Sequence, residues 1–158
     1  YKKINMKKSL TMKTILLISL LIFCSCSKES SKVEYLQSDE NEKNNYPFSE
    51  AVKVGEILYL SGQIGTSANN EGGLVSGGIR EETRQTMLNI KNTLEKYGSK
   101  MDDVIKCTCM LADIKEWGAM SEEYIKFFPN HKPARSAFAG TGLALGARVE
   151  IECIAKID

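Results

Sequence analysis

The sequence predicts an α/β (α+β) domain in which one β-sheet carries two helices on a single face. Three observations predict it. Short β-prone runs alternate with two stretches of helical periodicity in the order β-β-α-β-α-β-β. The last run, RVEIECIA at residues 148–155, alternates polar and apolar side chains over its first six positions, as a strand with one buried face does. The chain has 158 residues, 42% hydrophobic and 26% charged, which fits one globular domain able to bury a core without disulfide or metal staples.

The elements follow in order. Residues 51–54 and 57–61 flank Gly55-Glu56, the spacing of a tight hairpin. Residues 66–78 are rich in Gly, Ser and Asn and read as a loop. Met87, Ile90, Leu94 and Tyr97 recur at helical spacing over 79–97, and Gly98 suits the position just past the helix end. Residues 104–111 read as a strand with Cys107 and Cys109 on the same face as Ile105 and Leu111, small thiols in the core. Asp113 is placed to cap the next helix, with Glu116 completing a capping box. Trp117, Met120, Tyr124 and Phe127 form that helix's apolar stripe, and Pro129 ends it. Strands at 134–139 and 148–155 complete the sheet. Two helices cover one sheet face only, so the other is expected to be covered by oligomerisation.

The first 45 residues differ in character. Residues 14–23 (TILLISLLIF) carry no charge and match a signal-peptide core in length, too short to span a bilayer. Cys24-Ser25-Cys26 follows and resembles a bacterial lipobox, with Cys26 as the acylated residue. Residues 27–45 are polar and charged and read as a flexible tether. The expected organisation is a signal-peptide and lipobox leader at 1–26, a tether at 27–45 and a folded domain at 46–158. The expected location is the cell envelope, lipid-anchored, with a cytoplasmic protein as the alternative.

Several function classes are disfavoured. A net charge of +1 offers no phosphate-attracting surface, so nucleic acid is not an expected partner. His131 stands alone, and no cluster has metal-ligand spacing, so no metal is expected. Cys107, Cys109 and Cys153 are an odd number within the domain and do not read as a disulfide framework. Arg135 begins a strand, where its fork serves either as a carboxylate clamp or as a solvated cation. Glu150 and Glu152 share one strand face, beside Arg148, and are either an ordinary wet surface or, if covered, paired or functional. In Ser61-Gly62-Gln63, the glycine admits either a close ligand or a bulge.

Together these segments resemble the RidA (YjgF-like) family. The resemblance rests on Pro47-Phe48-Ser49-Glu50-Ala51-Val52, Leu58-Tyr59-Leu60-Ser61-Gly62-Gln63-Ile64-Gly65, Gly78-Ile79 with Glu82-Thr83-Arg84-Gln85 and Asn89-Ile90, Val104-Ile105-Lys106-Cys107-Thr108, Pro133-Ala134-Arg135-Ser136, and Gly146-Ala147-Arg148-Val149-Glu150-Ile151-Glu152. It implies a chorismate-mutase-like fold assembled as a homotrimeric barrel, with sites in clefts between subunits. It implies hydrolysis of 2-enamino and 2-imino acids to 2-keto acids and ammonia, without cofactor. Arg135 matches the residue that holds the substrate carboxylate, and Glu150 the one that positions water and moves protons. Phe48, Ser61, Gly62 and Ala137 match substrate-binding positions. Three positions depart from the family pattern: Phe48 replaces a tyrosine, Ser121 an asparagine and Ala137 a frequent cysteine. The alternative is a trimeric module that binds a carboxylate ligand with weak turnover.

Overall fold

The computed structural model describes residues 32–67 and 73–157. The leader expected at 1–26, with Cys24 and Cys26, lies outside the described residues. The fold is the expected mixed α/β sheet with helices on one face. Its strands are β1 (Val33–Leu36), β2 (Ala51–Val54), β3 (Ile57–Leu60), β4 (Gln63–Ile64), β5 (Val104–Leu111), β6 (Ala134–Ala139) and β7 (Val149–Lys156). The helices are α1 (Asp39–Lys43), α2 (Ile79–Lys96) and α3 (Trp117–Tyr124). The seven-stranded sheet runs β1-β2-β3-β7-β5-β6, with β4 also paired to β7. Only β5 and β6 pair parallel; the other pairs are antiparallel.

The β2–β3 hairpin turns at Gly55 and Glu56, and Gly55 adopts a φ of 59° that costs a glycine little. Helix α2 buries Met87, Ile90 and Leu94 against the sheet, and Gly98, at φ 82°, follows its end. Along β7, Val149, Ile151, Cys153 and Ala155 enter the core while Glu150 and Glu152 take the other face. These sets were expected from alternation alone.

Four local features differ from expectation. Residues 33–36 lie in the segment expected to be a tether, yet they form β1, in register with β2 from Val33↔Val54 to Leu36↔Ala51. A strand this short is held by the hydrogen bonds a partner edge supplies rather than by a buried face; Leu36 packs on the core while Val33 and Tyr35 stay exposed. In β5 the register shifts between Val104 and Lys106, so Val104 and Cys107 are both buried and Ile105 turns outward, 50% exposed. The irregularity breaks the period of two that placed Ile105 beside the cysteines. Asp113 caps the 3-10 turn Ile114–Glu116 that leads into α3 and not α3 itself, accepting from the Lys115 N–H at 2.9 Å, and Glu116 completes no capping box; it turns to Arg148. Of the α3 stripe, Met120 and Tyr124 are buried, whereas Trp117 is 45% exposed.

The core lies between the two long helices and one sheet face. The opposite face carries Met110, Glu150, Glu152 and Ile154 with the exposed aromatics Tyr59 and Phe138. Among the described residues no helix covers that face, as expected from the count of helices, and no helix is long and apolar enough to cross a membrane.

Candidate functional site

Strand β6 is the sheet edge, and its register with β5 decides where Arg135 points. Arg135 pairs with Cys107 and Ala137 with Cys109, both core thiols, so these two side chains stand on the helix-bearing face. Ser136 and Phe138 pair with Thr108 and Met110 and stand on the other. The Arg135 guanidinium lies over two aromatic rings of α3, 5.3 Å from the Trp117 centroid and 4.9 Å from that of Tyr124. Planar cation and ring faces attract at this separation. The two rings hold the fork without neutralising it: among the described residues Arg135 is in no ion pair.

An open cavity of about 480 Å³ adjoins this stack, lined by Ser121, Tyr124, Lys132 and Arg135 among others. The Ser121 and Tyr124 hydroxyls are buried without a well-formed hydrogen bond. Buried hydroxyls of that kind are costly unless a ligand or water satisfies them. Tyr124 OH lies near the Cys107 sulfur, and burial, reinforced by that neighbour, pushes the phenol well above its ordinary pKa. It therefore stays protonated, a hydrogen-bond donor and not a base.

The other candidates gather at a different place. Ser61 donates its hydroxyl to the Ser49 carbonyl at 2.6 Å, which fixes the Phe48–Ser49 backbone against the end of β3. Phe48 is half exposed and stacks on Tyr46, with ring centroids 5.5 Å apart and planes 3° from parallel. The Glu150 carboxylate lies against Gly62: a Cβ on Gly62 would fall 2.1 Å from Glu150 Oε1. The glycine thus admits a carboxylate of its own chain. Glu150 is also in no ion pair among the described residues. In register, Glu150 pairs with Met110 and Ile64 on the helix-free face.

The structure therefore brings Ser61, Gly62 and Glu150 together, with the Phe48 segment tied to Ser61 through the Ser49 carbonyl, and separately Arg135 and Ser121, with Ala137 on the same face as Arg135. Within one chain the two groups stand on opposite faces of the sheet. Three contributors were missed in the sequence. Trp117 and Tyr124 were read as core stripe, and nothing in helical spacing marks a ring that faces an edge-strand arginine. Gln37, in the expected tether, donates to the Phe48 carbonyl and accepts from the Glu50 N–H, each at 3.1 Å. It pins the Phe48 segment from outside the expected domain. Glu152 and Arg148 are less central: Glu152 is exposed, and Arg148 pairs with Glu116. Among the described residues no group of His, Cys, Asp and Glu is arranged to hold a metal ion.

Comparison with known proteins places this geometry among relatives. The family model described as Endoribonuclease L-PSP matches residues 40–157. The chain is 43% identical over 108 residues to protein HMF1 of Saccharomyces cerevisiae, covering 68% of this chain and 82% of that one. It is 40% identical over 109 residues to the human protein named 2-iminobutanoate/2-iminopropanoate deaminase, covering 69% and 79%. A solved Entamoeba histolytica structure described as an endoribonuclease L-PSP superposes with a TM-score of 0.70 at 39% identity, covering 80% of this chain and all of that one. These findings correct the expectation of a signal-peptide-bearing lipoprotein anchored through Cys26. The family match lies within residues 40–157, and the relatives above are named as HMF1, as a deaminase and as an endoribonuclease L-PSP, none of the three as a lipoprotein.

Proposed function

The chain belongs to the endoribonuclease L-PSP family, which includes the YjgF and Rid proteins, and on that premise we propose that it hydrolyses 2-imino acids, and the 2-enamino acids that tautomerise to them, to 2-keto acids and ammonia. The observation that carries the reading is the Arg135 fork, in no ion pair among the described residues and held on the Trp117 and Tyr124 rings, beside buried hydroxyls without a well-formed hydrogen bond. A fork of that kind suits a planar carboxylate in two parallel hydrogen bonds. The 40%-identical human relative bears the name of this activity.

The reading assigns a role to each half. Arg135 takes the substrate carboxylate, with Ala137 alongside on the same face. Glu150, backed by Gly62 and Ser61, receives a proton as water adds to the imine carbon, and returns it to nitrogen. The resulting carbinolamine expels ammonia and leaves the keto acid. An imine carbon is already electrophilic, so orientation plus one proton carrier suffices. Because the two halves stand on opposite sheet faces, each site is composed of two copies of the chain, in a homotrimer whose subunits cover one another's bare sheet faces.

The endoribonuclease in the family's description is not adopted, since a net charge of +1 gives RNA little to bind. A second reading, carboxylate binding with little turnover, is favoured by Phe48 and Ala137, which bring neither hydroxyl nor thiol to the site. The deciding experiment measures ammonia and keto-acid release from freshly generated 2-iminopropanoate and 2-iminobutanoate. Release well above the spontaneous rate is expected. Binding of the keto acid without accelerated release supports the second reading and overturns the first.

A further inference from the structure

Beneath the Arg135 stack lie three buried thiols, Cys107, Cys109 and Cys153. Cys107 on β5 and Cys153 on β7 are directly opposed in antiparallel register. Their sulfur atoms are 2.9 Å apart, in contact. Opposed residues in antiparallel strands have Cα atoms about 4.5–5.5 Å apart, inside the span of roughly 4.4–6.8 Å that a disulfide tolerates. Only a small further approach of the two sulfurs separates thiol pair from bond. Cys109 has the same burial but faces Ile151 in register, so it lacks this partner.

We propose that Cys107 and Cys153 form an oxidisable dithiol, closed to a disulfide by hydrogen peroxide, and that closure disturbs the ring stack that holds Arg135. The electrostatics assign the order of events. The hydrogen bond from Cys153, with help from Tyr124 and the Arg135 charge, draws the Cys107 thiol below its ordinary pKa although burial opposes this. Burial pushes Cys109 up to about 12, so that thiol stays protonated and inert. The Cys107 thiolate attacks one peroxide oxygen: an S–O bond forms, the O–O bond breaks, and the departing hydroxide leaves as water. Cys153 then attacks the Cys107 sulfenic sulfur: the S–S bond forms, the S–O bond breaks, and a second water leaves with the Cys153 proton. Two thiols and one peroxide give one disulfide and two waters. Both thiols are buried, but the open cavity is lined by Tyr124 and Arg135, the neighbours of Cys107, and peroxide is a small, uncharged molecule.

The coupling to the stack follows from shared neighbours. Cys107 is the register partner of Arg135 and lies beside the Tyr124 hydroxyl, and the Tyr124 ring carries the Arg135 guanidinium. Drawing the Cys107 sulfur toward Cys153 removes it from Tyr124. The dithiol stands without the deaminase reading; only its effect on substrate rests on that reading.

The test treats the full chain with hydrogen peroxide, alkylates it in denaturant and digests it with trypsin. Cleavage after Lys106, Lys115, Arg148 and Lys156 releases residues 107–115 and 149–156. The expected product is these two peptides joined, with fragment ions placing the link on Cys107, and their separation after dithiothreitol. Recovery of Cys107 and Cys153 as alkylated thiols or sulfinic acids overturns the proposal, as does a link on Cys109. This reading needs no variant to fold. Trp117, the only tryptophan in the chain, reports the coupling. Its emission is expected to shift on oxidation and return on reduction; a disulfide that leaves emission unchanged overturns the coupling. If imino-acid turnover exists, KM is expected to rise several-fold on oxidation; a protein with no turnover leaves the peptide and fluorescence results intact.

Discussion

Arg135 is placed by two rings and a strand register, and among the described residues no carboxylate pairs with it. Removing it therefore leaves no stranded counter-charge, and the effect belongs to the ligand. Arg135→Ala is expected to lose charge-assisted hydrogen bonds worth about 1.5–3 kcal/mol each, lowering kcat/KM on 2-iminopropanoate by a factor of about ten to well over a hundred. Arg135→Lys is expected to recover little, since an ammonium reproduces neither fork nor ring stack. Equal kcat/KM for Arg135→Ala and wild type would remove the clamp from the mechanism. Glu150 and Gly62 make a pair of tests. Glu150→Gln keeps the shape and loses the proton acceptor, so kcat is expected to fall while keto-acid affinity, measured by calorimetry, holds. Gly62→Ala leaves Glu150 chemically intact but drives a methyl into its carboxylate, 2.1 Å from Oε1, so the carboxylate must move. Turnover is expected to fall there too, and a fully active Gly62→Ala would show that the position of Glu150 does not matter.

At the scale of elements, legibility followed the source of each element's stability. Helix α2 and strand β7 are held by side chains that enter the core at regular intervals, and Met87, Ile90, Leu94, Val149, Ile151 and Cys153 were all readable as core. Strand β1 is held by backbone pairing to β2, which leaves no periodic trace in a polar segment. Trp117 kept helical spacing but faces an arginine that only the parallel β5–β6 register brings near, a non-local fact. The missed strand has a functional consequence, because Gln37 just after β1 holds both the Phe48 carbonyl and the Glu50 N–H. Gln37→Ala removes three hydrogen bonds, to the Phe48 carbonyl and from the Glu50 N–H and the Asn41 amide, each worth about 0.5–1.5 kcal/mol, and loosens the Phe48 segment. The expected outcome is a modest loss of stability in urea titration and a raised KM with kcat nearly unchanged. A lowered kcat with unchanged KM would mean that the segment serves chemistry and not binding.

The whole molecule poses the sharpest question, because the charged residues assigned to one reaction stand on opposite faces of one sheet. Glu150 shares its face with Met110, Tyr59 and Phe138, apolar surface that calls for cover. Arg135 stands on the helix side of the edge strand β6. A cyclic trimer resolves both facts when the β6 edge of one copy meets the Gly62–Glu150 end of the next, since a head-to-tail contact closes into a ring. Sedimentation equilibrium is expected to give three times the chain mass, and a monomer at micromolar concentration would remove the composite site. Complementation tests the composition directly. Arg135→Ala and Glu150→Gln proteins are each expected to be nearly inactive alone. Unfolded together in equal amounts and refolded, they mix at random. A site then takes its arginine from a Glu150→Gln chain half the time, and its glutamate from a neighbouring Arg135→Ala chain half the time. About a quarter of the sites are intact, so activity is expected to recover to roughly a quarter of wild type. If both residues act within one chain, no mixed assembly contains an intact pair, and the mixture stays as inactive as its parents.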